Sequence, residues 1–211
     1  GKIYVDGLDD TSSSSYRAKN GYKSGDTLKI GRPNYGEAPN YFSGELDEVR
    51  IWNAARSETE IQENIYQKLS GTEEGLVAYY NFDDVTTIIP DVTENGNDAT
   101  PYIAGNALSL DGSSEYVEIG DVDELDFGTK SFTVEAWVYD DPDSINGWNN
   151  AVAKKFTSGT ASGWTLRINN QDRPQFFLAD GTNRVDLNSG TVITEGEWYH
   201  LAGVVNRDTN E

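Results

Sequence analysis

The end and the beginning of this chain read as the two arms of one β-hairpin, cut at its tip. Residues 199–211 run Y-H-L-A-G-V-V-N-R-D-T-N-E, and residues 1–10 run G-K-I-Y-V-D-G-L-D-D. Joined tail to head, they give an apolar strand, a polar Asn-Arg-Asp-Thr-Asn-Glu-Gly turn, and a second strand that closes on Asp-Gly. Turn residues between two β-rich runs are a hairpin signal. The sequence therefore describes a circular unit opened at an unusual place, and any fold for it must set Glu211 beside Gly1.

Strand-like runs dominate the rest. They lie near 2–6, 27–31, 45–52, 76–82, 107–111, 116–119, 131–138, 164–168, 175–179, 184–187 and 198–205, separated by Gly, Asn, Asp and Ser clusters. Many short strands with turn chemistry between them predict a sandwich or jelly roll. In 131–138, Phe132, Val134, Ala136 and Val138 share one face, and Thr133, Glu135 and Trp137 the other. Trp164, Leu166 and Ile168 alternate in the same way with Thr165 and Arg167. One helix interrupts the β pattern. Ser57-Glu58-Thr59-Glu60 is a capping box, Ile61, Ile65 and Leu69 follow at helical spacing, and Gly71 is the expected stop. This helix is expected on the end or edge of the sandwich. Residues 83–104 are polar, contain two Pro, and read as a linker.

Composition narrows the partners. The chain has 211 residues, no Cys, no Met, and 36 acidic against 16 basic residues, for a net charge of −20. Such a surface repels nucleic acid and anionic lipid. It serves solubility, and clustered carboxylates can also hold Ca²⁺. Without Cys there are no disulfides, thiolate zinc sites or Cys nucleophiles. No apolar run is long enough to span a bilayer. The missing Met reads as a processed or excised piece, and a Cys-free, Gly-, Asn- and Asp-rich β chain suits the outside of a bacterial cell.

Four stretches bear a family likeness. They are A-L-S-L-D-G-S-S-E-Y-V-E-I at 107–119, S-F-T-V-E-A-W-V at 131–138 with G-E-W-Y-H-L-A-G-V-V at 196–205, F-S-G-E-L-D-E-V-R-I-W-N-A-A-R-S-E-T-E-I at 42–61, and G-L-V-A-Y-Y-N-F-D-D at 75–84 with D-V-T-E-N-G-N-D-A-T at 91–100. Together they resemble the laminin G-like, concanavalin A-like jelly rolls of bacterial surface proteins, an architecture shared with the pentraxins. The resemblance implies an all-β, two-sheet antiparallel jelly-roll sandwich with one short helix. Its order is rotated: 105–211 looks like the opening half of the domain and 1–82 like the closing half, with the linker-like 83–104 between them. The chain is then a circular permutant, or one period of a tandem array completed by strand pairing with neighbouring copies.

Site candidates are fewer. Asp91, Thr93 and Asn95 alternate before Gly96, imitating the first half of a calcium loop, but Tyr102 stands where the bidentate Glu would be. Asp111 sits in a tight Leu-Asp-Gly-Ser turn. Simple alternation puts Asp47 on the apolar row of Val49 and Ile51 and turns Arg50 away from it, so a cation is a partner for Asp47. Domains of the resembled class often carry a structural Ca²⁺ against such a strand. Asp47, Asp91, Asn95 and Asp111 are thus the expected ligands. An Asx turn at Asp91 and a turn role for Asp111 are the competing readings. Tyr35, Tyr41 and Trp148 lie in loops and could stack on sugar.

A glycanase needs paired acids across the scissile bond. The nearest match to a jelly-roll glucanase strand, Glu45-Leu46-Asp47-Glu48-Val49-Arg50, lacks its third acid. Glu135 reads as a paired carboxylate at a sheet edge. The sole histidine, His200, reads as a strand residue on the less buried face. The sequence therefore points to a non-catalytic extracellular structural or adhesive unit, with a carbohydrate-binding module as the alternative.

Overall fold

A computed structural model describes residues 1–14, 27–33, 41–83, 88–102, 108–143, 147–154 and 162–208. Among these, fifteen strands form two antiparallel sheets. In chain order they are β1 (Lys2–Val5), β2 (Leu8–Asp9), β3 (Thr11–Ser14), β4 (Leu28–Ile30), β5 (Ser43–Trp52), β6 (Leu76–Tyr80), β7 (Ala99–Tyr102), β8 (Ser109–Asp111), β9 (Tyr116–Ile119), β10 (Phe132–Asp140), β11 (Asn149–Lys154), β12 (Gly163–Ile168), β13 (Pro174–Ala179), β14 (Arg184–Ser189) and β15 (Trp198–Val205). One helix, α1, spans Glu58–Asn64. The first sheet runs β2-β1-β15-β10-β5-β6, with β8 also pairing β5. The second runs β3-β14-β13-β12-β11-β4-β9-β7.

The hairpin expected between tail and head is present within one chain. Lys2 opposes Val204 and Val5 opposes Leu201 in an antiparallel ladder. The ladder continues where the Asp6 amide donates to the His200 carbonyl (2.8 Å) and the His200 amide donates to the Asp6 carboxylate (2.9 Å). Residues 209–211 at the tip lie outside the described residues. Asp6-Gly7 then turns β1 into β2 with φ of 48° and 79°, the left-handed pair that a two-residue hairpin turn requires.

Alternation places the core where the sequence puts it. Phe132, Val134, Ala136 and Val138 of β10 are buried between the sheets, with Trp164, Leu166 and Ile168 of β12 facing them. Phe132 stacks on Phe127 at 4.6 Å and meets Phe176 edge-on at 6.1 Å. Gly203 makes room for that packing, since a Cβ there would stand 2.4 Å from the Phe176 ring. Each such buried aromatic contributes roughly 1.5–3 kcal/mol of transfer energy.

The alternation breaks in β5. Arg50 opposes Glu135, but the next pair is Asp47 with Trp137, so β5 carries one extra residue. Glu48 absorbs it with φ of 51°. Leu46 and Val49 both enter the core, and Asp47 joins Arg50 on the outer face. This overturns the expectation that Asp47 shares the row of Val49 and Ile51. An unbulged strand cannot put two core residues three apart.

The capping box forms as expected: the Glu60 amide donates to the Ser57 hydroxyl, and the Ser57 amide donates to the Glu60 carboxylate. The helix lies on the outer face of the first sheet toward its β2 edge, where Ile61 packs on Tyr4, Ala202 and Val204 and Gln62 donates to the Gly7 carbonyl at 3.0 Å. Its length differs from expectation: it stops at Asn64, well short of Leu69. Arg50 braces the chain at and beyond its end, donating to the Asn64 and Gln67 carbonyls at 2.9 and 2.6 Å. The stretch 83–104 is likewise no linker where it is described. Ile89 bridges Ala99, and β7 pairs with β9 at the edge of the second sheet.

Candidate functional site

The outer face of the first sheet carries a polar and aromatic row that the hydrophobic core does not need. From β5 come Asp47, Glu48 and Arg50, from β10 comes Trp137, and from the start of β15 comes Trp198. The chain after α1 folds back over this row and supplies Ile65, Tyr66, Gln67 and Lys68. These residues enclose an open cleft of about 430 Å³, a volume within the range of small-ligand sites.

The far wall of the cleft is pinned from below. Besides the two carbonyls that Arg50 holds, the Trp137 indole N–H donates to the Ile65 carbonyl at 3.1 Å. Arg50 is fully buried, and its charge is met by Glu48. The Tyr79 hydroxyl donates to Glu48, 2.8 and 2.7 Å from its two oxygens. Burial and the Glu48 carboxylate push that phenol well above its ordinary pKa, which keeps it a donor. The rings stay accessible: Tyr66 is 79% exposed and Trp198 42%. Tyr66 leans on Trp137 at 5.6 Å, and Trp198 on Tyr139 at 5.7 Å. Lys68 pairs with Asp83. Among the described residues Asp47 accepts one hydrogen bond, from the Glu48 amide at 2.8 Å. Burial, then the Glu48 and Asp83 charges, raise its pKa.

Beneath this face, Glu135 and His200 meet at 3.3 Å with both side chains 1% exposed. His200 is therefore not on a lightly buried face: it is fully buried, with the Trp137 ring edge-on at 5.5 Å. Glu135 is paired as expected, but on β10, in the middle of the sheet and not at its edge. No hydrogen-bond partner satisfies either side chain among the described residues.

The expected cation ligands do not come together. Asp47, Asp91 and Asp111 form no common cluster among the described residues. The Asp91 carboxylate is already met by the amides of Tyr79, Thr93 and Asn97 and by the Thr93 hydroxyl. Asn95 is turned to the Val77 carbonyl at 3.0 Å. Burial works against ionisation of Asp111, but amides of Ser113, Ser114 and Glu115 and two Ser hydroxyls outweigh it and hold its pKa far below the usual range. These side chains are occupied as turn-formers, so they do not fit a calcium cage.

The aromatic candidates fare similarly. Tyr41 is half-buried, with the Arg32 guanidinium 4.8 Å from its ring and 4.7 Å from that of Tyr116. Trp148 lies under Arg167 at 4.2 Å. Tyr35 lies outside the described residues. The cleft aromatics were missed. Alternation marked Trp137 as outward-facing. Trp198 stands two residues from His200, hence on the same face, and Tyr66 is off the Ile61-Ile65-Leu69 stripe. What the sequence did not show is that one loop would gather all three.

A sequence model of the concanavalin A-like lectin/glucanases superfamily matches residues 1–62 and 111–211. The chain belongs to that superfamily. Two matched segments are what a split or permuted domain of the superfamily gives. No curated protein and no solved structure matches the chain. As a concanavalin A-like domain it is a carbohydrate-binding or structural jelly roll, in a superfamily of which some members are glycosidases. Such domains are typically extracellular, and no helix among the described residues is long and apolar enough to cross a membrane.

Proposed function

We propose that this jelly roll is a non-catalytic, extracellular carbohydrate-binding unit and that its binding surface is the cleft on the outer face of the first sheet. The observation that carries this reading is the convergence of Tyr66, Trp137 and Trp198 around Asp47 and Glu48. Flat aromatic faces cover the C–H faces of a pyranose, and carboxylates accept from its hydroxyls. Non-catalysis is supported by the state of the acids. Glu48 is committed to Arg50 and Tyr79, which leaves Asp47 without the second free carboxylate that glycoside hydrolysis needs.

The test is affinity electrophoresis of the full chain against a panel of soluble neutral and amino polysaccharides. Retardation by at least one, reduced about tenfold in Trp198→Ala and Tyr66→Ala, is the expected result, equivalent to ~1.4 kcal/mol per ring. Free migration in every gel, or retardation unchanged in both variants, rejects the reading.

A structural or adhesive role in a bacterial surface protein or filament is the second reading. It draws on the β1–β15 ladder, which would form between neighbouring copies in place of the intramolecular pairing. Light scattering at micromolar concentration separates the two: an assembly supports strand exchange, and a monomer leaves β1 with its own chain.

A further inference from the structure

Resting on the carbohydrate reading, we propose that the cleft is selective for glycans bearing a free amine, as in oligomers of unacetylated hexosamine, with the protonated amine seated against Asp47. The charge inventory of the cleft argues for this. Arg50 is matched by Glu48 and by two carbonyls, and Lys68 by Asp83. Asp47 stands opposite Trp137 in the ladder with a single backbone hydrogen bond, and no cation contacts it among the described residues. The cleft therefore holds one uncompensated carboxylate, partly removed from water and beside like charges. A neutral sugar would leave that charge unmatched, and an anionic one would meet a chain of net charge −20. An ammonium matches the charge and also gains from the electron-rich faces of Trp137 and Tyr66. The pyranose that carries it still offers its C–H face to Trp198. The pKa of Asp47 is raised first by burial and then by the Glu48 and Asp83 charges, with the Glu48 amide and Arg50 acting the other way.

The experiment is isothermal titration of the full chain with a glucosamine tetramer, its fully N-acetylated counterpart, cellotetraose and tetralysine, at pH 6 and low salt. The glucosamine tetramer is expected to bind at least tenfold more tightly than the other three. Asp47→Asn should erase that preference, while Asp123→Asn, an exposed charge change outside the cleft, should leave it intact. Equal binding of the acetylated or neutral tetramer, or a preference that survives Asp47→Asn, overturns the amine assignment and leaves the carbohydrate reading standing. Equal binding of tetralysine, or equal losses in Asp47→Asn and Asp123→Asn, reduces the effect to net charge and also overturns it. Absence of binding by all three sugars removes both.

Discussion

The Asp111 turn and the β5 bulge treat the same functional group in opposite ways. In the turn, donors from Ser113, Ser114 and Glu115 wrap the Asp111 carboxylate, so chain-local geometry satisfies it. In the bulge, among the described residues, Glu48 is met by Arg50 from the same strand and by Tyr79, which the β5–β6 pairing brings in, and Asp47 accepts from one amide. The turn residues are self-sufficient. The bulge residues depend on the fold, and the cleft is built where that dependence leaves a group over. An acid-rich sequence does not by itself distinguish these cases. The number of donors reaching each carboxylate does.

The largest effect is expected from removing Arg50, because the bulge rests on it. Arg50→Met leaves Glu48 without its cation and releases the Asn64 and Gln67 carbonyls that fix the cleft wall. Breaking a buried pair from one side costs about 3–5 kcal/mol. Urea denaturation should show a loss of that size together with loss of glycan retention. A loss below ~1 kcal/mol would mean that the bulge holds itself, as the turn does, and the contrast would fail.

How much of this was legible depends on where the information lies along the chain. The core row Phe132, Val134, Ala136 and Val138, the Ser57–Glu60 capping box and the tail-to-head ladder were readable because each is set by a local period or by a pair of complementary edges. The β5 bulge was not. Its single positive φ falls on Glu48, a residue with no left-handed preference, and strand pairing imposes it. From that one missed residue follow the wrong face for Asp47 and the missed cleft. The helix boundary failed for a related reason. Ile65 and Leu69 are buried as their spacing promised, but the chain leaves the helix in a turn closed by the Gln67 amide on the Asn64 carbonyl and braced by Arg50 from β5. Residues 88–102 looked like a linker because β7 has no strong pattern of its own and borrows its order from β9.

A fourth carboxylate extends the contrast and brings in pH. Asp140 is buried, with Asn149 donating to it at 2.6 Å. Burial, together with Glu195, Asp172 and Asp141, pushes its pKa up to about 7. Between the unfolded value near 4 and that folded value, the native state holds the proton more tightly than the unfolded chain does. Native stability therefore falls as pH rises across this window. Asp140→Asn should remove the fall, gaining about 2 kcal/mol at pH 8 and nothing at pH 4. Parallel stability curves for the variant and the parent chain would place Asp140 with Asp111, among the carboxylates whose partners suffice.

The smallest effect, and the most direct comparison, sets Asp111→Asn against Asp47→Asn. At Asp111 an amide keeps the shape but loses charge-assisted acceptance from the turn, at about 1 kcal/mol once its exposure to solvent is allowed for. At Asp47 the same exchange removes a carboxylate that burial disfavours, so stability should hold within about 0.5 kcal/mol or rise slightly. The two differ also in the sign of their pH dependence. The Asp111 pKa is lowered on folding, so its stabilisation is present above the unfolded value and fades as pH falls through the folded one. The Asp47 pKa is raised, so its unfavourable contribution appears as pH climbs from the unfolded value through the folded one. Thermal melts from pH 3 to 8 should therefore show the Asp111→Asn deficit narrowing in acid and any Asp47→Asn gain narrowing in acid as well, from opposite sides of the parent curve. If both variants fall on the same side, Asp47 has a partner that answers its charge, and the cleft has no unmatched carboxylate to offer a ligand.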